Sequence, residues 1–167
     1  MTAPISTNLT PADLPILGNS LRESGRVVVW TNGCFDLFHA GHVRSLRAAR
    51  ACGDVLVVGI NSDASVRRLK GAGRPILPAV ERTELIASLG CVDHVVVFEE
   101  DTPEECIRLL RPDVHCKGAD YALPHGKPIP EATLVEGYGG RVAFLPLIDG
   151  LSTSELIRRI KSIPGEL

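Results

Sequence analysis

The sequence predicts an α/β protein built on a Rossmann-like, doubly wound parallel sheet of five strands. Three observations carry that prediction. Short aliphatic runs alternate with helical patterns along the chain, which is how a parallel sheet with crossover helices is laid out. The run at 55–60 is continuously apolar rather than alternating, as in a strand covered on both faces. Gly, Pro and Asn-Gly or Ser-Asp pairs stand at the joints between these runs, where the chain must turn or cap a helix.

Taken in order, Val27, Val28, Val29 and Trp30 form the first strand, and Thr31-Asn32-Gly33 reads as a turn. A helix over 40–52 follows. Ala40, Val43, Leu46 and Ala49 share one side of it, Arg44, Arg47 and Arg50 another, and Gly53 stands where a left-handed residue ends a helix. The second strand is 55–60. Ser62 offers an N-cap for a helix over 64–70, and Gly71-Ala72-Gly73-Arg74-Pro75 breaks it into a basic loop. Pro78 suits the first turn of a helix ending at Gly90, and 94–98 is the third strand. Thr102-Pro103-Glu104-Glu105 reads as a capping box with Pro at the first helical position, and Pro112 closes that helix. Residues 113–116 and 141–145 are strands four and five. Between them lie a loop with Pro124, Pro128 and Pro130 and a short helix near 131–138, and the last helix is 153–162. Pro4, Pro11 and Pro15 make 1–24 an irregular or partly helical arm, so the chain reads as one domain over 1–167 with its core at 25–162.

Composition narrows the function. At 167 residues, 44% apolar and 23% charged, the chain is an ordinary globule with an aliphatic core. Aromatics are only 4%, which argues against stacking on bases. Eighteen basic and twenty acidic residues give a net charge of −2, so neither nucleic acid nor a membrane is expected as partner, and any phosphate must be held locally. The five cysteines are odd in number and lack a C-x-x-C pair, so reduced thiols fit better than disulfides or a zinc knuckle. With no leader-like start and no long apolar run, a cytoplasmic location is expected.

In an open α/β sheet the ligand binds beyond the carboxyl ends of the strands, where strand order reverses. Asn32, Asp36, His39 and His42 follow strand one; Ser62, Asp63 and Lys70 follow strand two; Lys117, Gly118 and Asp120 follow strand four; Ser152, Thr153 and Ser154 follow strand five. His39-Ala40-Gly41-His42 puts two imidazoles on neighbouring positions of a helix start, where free N–H groups favour an anion. Gly41 removes a side chain that would keep a ligand from the backbone. The same pair also reads as a structural couple or a metal site, although no H-E-x-x-H spacing supports zinc. Lys70, on its glycine-flanked loop, reads as a phosphate clamp or a solvated surface lysine. Lys117 reaches a phosphate or turns to solvent, and Asp120 contacts sugar hydroxyls or nucleotide. Asp36 orients the histidine loop or closes an Asx turn. Ser152-Thr153-Ser154-Glu155 is a capping box as S-x-x-E, and a capped helix start is also an anion site.

The run Thr31-Asn32-Gly33-Cys34-Phe35-Asp36-Leu37-Phe38-His39-Ala40-Gly41-His42 resembles the H-x-G-H signature of the cytidylyltransferase-like nucleotidyltransferases. Residues 61–71, 73–76, 116–121, 139–141 and 150–154 resemble one branch, the D-glycero-β-D-manno-heptose 1-phosphate adenylyltransferases, over about 26–161. The resemblance implies transfer of AMP from ATP to the sugar 1-phosphate, giving ADP-heptose, a lipopolysaccharide core precursor, and pyrophosphate. Mg²⁺ comes with the ATP. It implies that His39 and His42 hold the α- and β-phosphates and that Lys70 clamps the leaving pyrophosphate. Asn32, Gly33, Phe35, Asp36, Gly41, Arg82, Lys117, Gly118, Asp120, Ser152, Thr153 and Ser154 would complete the nucleotide site. At this length the resemblance implies a stand-alone form without the kinase that precedes the domain in some bacteria, and a homodimer is expected.

The chain departs from the relatives in two places. Leu147 stands where glycerol-phosphate cytidylyltransferases carry the arginine of R-T-x-G-I-S-T-T, and Ile157 where others carry arginine, with Arg158 and Arg159 following. A cytidylyltransferase on a polyol or another sugar phosphate is the second reading, and a non-catalytic nucleotide-binding module the third. The transfer chemistry also makes sense on its own terms. A sugar phosphate is already an anionic nucleophile, so positioning and charge stabilisation suffice without a general base.

Overall fold

Val28, Trp30, Val55 and Val57 point to one face of a central sheet, and Val29, Leu56, Val58 and Ile60 to the other, so every inner strand has two faces to cover. The computed structural model describes residues 6–122, 126, 128–146 and 150–164. In chain order the elements are β1 (Ser6–Leu9), α1 (Leu14–Glu23), β2 (Val28–Gly33), α2 (Ala40–Arg50), β3 (Val55–Asn61), α3 (Asp63–Lys70) and α4 (Ala79–Ala87). They continue with β4 (His94–Phe98), α5 (Glu104–Leu110), β5 (Val114–Gly118), α6 (Ala132–Gly137), β6 (Arg141–Leu145) and α7 (Thr153–Lys161). The sheet runs β1-β4-β3-β2-β5-β6 with every pair parallel. Leu46, Ala49, Ile86 and Ala87 bring α2 and α4 onto one face, and Leu14, Leu21, Ile107, Leu110 and Val135 bring α1, α5 and α6 onto the other.

All five predicted strands are present in a doubly wound parallel sheet, and the arm adds a sixth. Its residues 6–9 pair with β4 at the sheet edge, before α1 crosses to the face opposite α2. Four edge residues carry too short a pattern to be read as a strand. Strand β2 runs three residues past Trp30, because Thr31, Asn32 and Gly33 stay in register with Val58, Gly59 and Ile60. The Asn-Gly pair is therefore the end of a strand, and the turn comes after it.

Other expectations shift at helix ends. The helix after β4 begins at Glu104, so Pro103 rather than Thr102 takes the cap position and no side chain caps it, while the Glu105 carboxylate accepts from Arg108 at 2.6 Å. Arg111, at φ 54°, ends it before Pro112. Helix α4 stops at Ala87, short of Gly90. Gly53 is needed for close approach: a Cβ there would lie 2.6 Å from Val29 and 2.8 Å from Val27. At the amino end of the sheet, carboxylates of Asp54, Asp93 and Asp113 accept the N–H groups of Val27, Leu56 and Val28 at 2.7–2.8 Å. The polar residues of the opposite end are thereby left for a ligand.

Candidate active site

Strand order reverses between β2 and β5, and a cleft of about 730 Å³ opens beyond their carboxyl ends. That volume suits a small organic ligand. Its walls come from the ends of β2, β3 and β5, from the loops after β4 and β6, and from the first turns of α2 and α7.

The histidine loop is shaped by packing. A Cβ on Gly33 would lie 3.2 Å from the Phe35 ring, and Phe35 adopts φ 47°, a left-handed conformation that costs a bulky residue of order 1–3 kcal/mol. The chain reverses there, and His39 becomes the N-cap of α2, with Nδ1 accepting from the Gly41 N–H at 3.1 Å. That bond places the His39 ring proton on Nε2. The His39 and His42 rings stack at 3.8 Å between centroids, with Phe35 edge-on to His42 at 5.2 Å and Phe38 stacked at 5.6 Å. Burial pushes His42 down to about 4, helped by His39, and burial also lowers His39. At neutral pH the pair is uncharged. Buried Nδ1 of His42 has no hydrogen-bond partner. Packing also calls for Gly41: a Cβ would meet the His39 ring at 2.8 Å and Leu151 at 3.1 Å, so the glycine makes room for the cap and for the chain just before α7.

Arg82 and Asp36 brace the floor of the cleft. Arg82 is 0% exposed. Its guanidinium donates to the carbonyls of Leu77 (3.0 Å), Cys34 (2.6 Å) and Asn61 (2.8 Å) and pairs with Asp63 at 2.7 Å. Asp36, 2% exposed, accepts from the N–H groups of Ile76 (2.7 Å) and Leu77 (3.0 Å) and pairs with Arg74. Burial alone would raise its carboxyl, but the Leu77 and Ile76 amides and the Arg74 guanidinium together hold it below the usual range. Arg82 is thus sealed behind the cleft, whereas Asp36, held by these bonds, also lines it and orients the histidine loop, one of the two roles expected of it. Both staple the histidine loop to residues 74–77.

Beyond the other strand, Lys117 lies 2.6 Å from Glu131 Oε1, 3.4 Å from Asn32 Oδ1 and 5.3 Å from the centroid of the Tyr121 ring. Glu131, 1% exposed, also accepts from His115 Nε2 at 3.1 Å. Burial would raise Glu131, but His115 and Lys117 bring it down to about 2. Burial lowers His115 as well, despite the carboxylate beside it, so the imidazole is neutral and Lys117 alone matches the negative charge.

The cytidylyltransferase-like family model matches residues 30–159. The chain belongs to the cytidylyltransferase-like family. It is 54% identical over 139 residues to the bifunctional protein HldE of Syntrophotalea carbinolica, which covers 83% of this chain and 28% of that one. It is 50% identical over 145 residues to the HldE of Geobacter sulfurreducens (87% and 29%), and 52% over 143 residues to that of Streptomyces coelicolor (86% and 30%). The chain spans less than a third of the length of these relatives. A solved structure, the lipopolysaccharide core biosynthesis protein from Thermoplasma volcanium, superposes with a TM-score of 0.59 at 27% identity, covering 74% of this chain and 98% of that one.

In this cytidylyltransferase-like domain, Asn32, Gly33, Phe35, His42, Lys70, Lys117, Gly118, Ser152, Thr153 and Ser154 line the cleft, with His39 and Gly41 directly behind His42. Lys70 is exposed at the rim. Asp120 sits in the single turn of 3-10 helix Ala119–Tyr121 and is not among the lining residues. Ser152 caps α7, accepting from the Glu155 N–H at 3.1 Å, but the Glu155 carboxylate pairs with Arg158 at 2.6 Å instead of completing the box. Leu147, where the sequence departs from the glycerol-phosphate cytidylyltransferases, lies outside the described residues. Sequence reasoning missed Glu131 as well as Asn61, Asp101 and Thr102, which also line the cleft. Asn61 is the last residue of β3 and Asp101 and Thr102 follow the end of β4, so the strand-end rule marked them. No local pattern marks Glu131. Among the described residues no three His, Cys, Asp or Glu side chains gather to hold a metal ion, and no helix is long and apolar enough to cross a membrane.

Proposed function

We propose that this domain transfers AMP from ATP to D-glycero-β-D-manno-heptose 1-phosphate, giving ADP-heptose and pyrophosphate. The observation that carries the reading is the uncharged histidine pair stacked at the start of α2, with His42 lining the cleft at the strand-order reversal and His39 packed against it. The heptose assignment rests on the sequence resemblance of residues 61–71, 116–121 and 150–154, and the relationship to the HldE proteins supports it.

A sugar phosphate oxygen attacks the α-phosphorus; a new P–O bond forms, the bond to the bridging oxygen breaks, and pyrophosphate leaves with the electron pair. No proton needs to be removed from the nucleophile. The task is to gather two polyanions and stabilise the crowded phosphorus. His39 and His42 donate N–H groups where α2 starts; the Gly41, His42 and Glu155 N–H groups are taken up within the caps, and the positive ends of α2 and α7 add their dipoles. Thr153 and Ser154 line the cleft at the α7 start. Lys70 meets the leaving pyrophosphate from the rim. An approaching triphosphate raises both imidazole pKa values, but rings 3.8 Å apart accept one proton far more readily than two. With Asp36 and Glu131 both engaged by the protein, Mg²⁺ enters this reading as part of the MgATP substrate. A homodimer acting in the cytoplasm, where its cysteines stay reduced, completes it.

Pyrophosphate release with ATP and with CTP, each with heptose 1-phosphate, tests the reading. Turnover with ATP and little with CTP is expected. Turnover with CTP alone would replace it with the cytidylyltransferase reading, and none with either would leave a binding module.

A further inference from the structure

Glu131 stands outside everything the motifs assign, yet it is the most deeply buried acid at the cleft. Its residue is 1% exposed, it immediately precedes α6, and it is held among Pro128, Pro130 and the end of β5 at the cleft wall. A buried carboxylate is costly unless its charge is matched and its oxygens are hydrogen-bonded. Here one oxygen, Oε1, takes both His115 Nε2 at 3.1 Å and Lys117 Nζ at 2.6 Å. A carboxylate only accepts, so His115 must present its Nε2 proton, and as a neutral ring it fixes the carboxylate without matching its charge. The matching charge is Lys117.

The consequence falls on the lysine. An ammonium has three donors on a flexible stem and ordinarily wanders. Lys117 directs one donor to Glu131 and one towards Asn32 Oδ1 at 3.4 Å, across the boundary between β5 and β2. That boundary is where strand order reverses and the ligand crevice opens. A further contact is the Tyr121 ring, 5.3 Å to its centroid in the cleft wall, a weaker partner that a substrate phosphate would displace from the remaining donor.

We propose that Glu131 is a positioning residue of the nucleotidyl-transfer site, fixing the Lys117 ammonium at the strand-order reversal so that its remaining donor meets a substrate phosphate. Glu131 itself touches no substrate. The proposal rests on the reading of the cleft as a nucleotidyl-transfer site, and it predicts a particular kinetic signature. Glu131→Gln keeps the shape and an oxygen for His115 but releases Lys117 as an unmatched, mobile cation. Polyanion binding should then stay equal or tighten while the transition state loses an aligned donor. A purely structural role would lower the melting temperature and leave kcat per folded molecule alone.

The test is a double-mutant cycle over Glu131→Gln and Lys117→Met, with Glu131→Asp as a second variant in case the first folds poorly. Steady-state kinetics and ATP affinity by calorimetry are both measured, well below the melting temperature. Glu131→Gln should lower kcat about 10- to 100-fold with KM for ATP unchanged or lower, the scale expected of a misplaced group. The effect should vanish in the Lys117→Met background, and Glu131→Asp should recover part of it. Equal kcat in Glu131→Gln and the wild type, or independent effects of the two substitutions, would overturn the proposal. If the wild type binds ATP but turns over no sugar phosphate, the proposed reaction is wrong, and the affinity cycle still decides on Glu131: coupling upholds the positioning of Lys117, and additivity refutes it.

Discussion

Replacing Arg82 by methionine separates a floor clamp from a phosphate contact. The guanidinium is fully buried and joins three segments: Cys34 after β2, Asn61 at the end of β3, and Leu77 before α4, with Asp63 as its charge partner. Methionine fills much of the stem volume and supplies no donor, so three carbonyls lose the guanidinium and the Asp63 carboxylate loses its charge partner, keeping the Ala79 N–H at 2.8 Å. Breaking a buried ion pair with its hydrogen bonds costs about 3–5 kcal/mol. The Asp63 side chain is 31% exposed and can recover water, which sets the loss towards the lower end of that range. Against a domain stability of about 5–15 kcal/mol this is large, and for a chain of this size it lowers the melting temperature on the order of 10 °C. The assay is thermal unfolding followed by circular dichroism, with ATP affinity measured by calorimetry far below the transition. A melting temperature within about 2 °C of wild type, accompanied by lost ATP binding, would refute the clamp and restore Arg82 to the triphosphate.

Acid should weaken the fold through His42. Its folded pKa of about 4 lies below the unfolded value of about 6.5, so the unfolded chain binds more protons in between. Stability is then full above about pH 6.5 and falls as pH drops towards 4, by about 2–3 kcal/mol. Urea unfolding of wild type and His42→Gln at pH 7 and pH 5 checks this, since the variant should lose less stability on acidification; equal losses would contradict it. Gly41→Ala puts a Cβ within 2.8 Å of the His39 ring and should reduce pyrophosphate release about 10-fold or more with little change in melting temperature. Wild-type turnover in that variant would show that the His39 cap is dispensable. Gly59→Ala drives a Cβ to 2.4 Å from the Trp30 ring and 3.1 Å from Phe98, so it should cost about 1–3 kcal/mol by overpacking. An unchanged urea midpoint would mean that this face of the sheet repacks freely.

The inner strands were legible because residues such as 55–60 are buried on both faces and therefore written as unbroken apolar runs. Residues 94–98 and 141–145 match β4 and β6 end to end, although Arg141 and Phe144 of the edge strand β6 are exposed. Strand ends were less legible: Asn32-Gly33 has turn chemistry, but its ladder to Gly59 and Ile60 keeps it extended, an outcome decided by a neighbour rather than by local preference. Strand β1 escaped notice for the same reason, since its pairing with β4 is the only thing that makes it a strand. The histidine motif pointed to the correct end of the sheet because four residues at a helix start carry their own geometry. Charged side chains were harder to place. Arg82 and Asp36 share the sequence neighbourhood of the site, and only packing shows that one is sealed behind it and the other bonded to the backbone of the facing loop. Glu131 reaches Lys117 across a proline-rich connection, and that contact exists only once β5 and α6 are assembled.

The most direct measurement of the central claim is product analysis by ³¹P NMR after incubating the protein with MgATP and heptose 1-phosphate carrying ¹⁸O in its phosphoryl group. Attack of the sugar phosphate on the α-phosphorus predicts equal amounts of ADP-heptose and pyrophosphate, with ¹⁸O retained in the sugar-linked phosphate and its bridge and none in pyrophosphate. Labelled pyrophosphate, or ATP that stays bound and unreacted beside intact sugar phosphate, would contradict it.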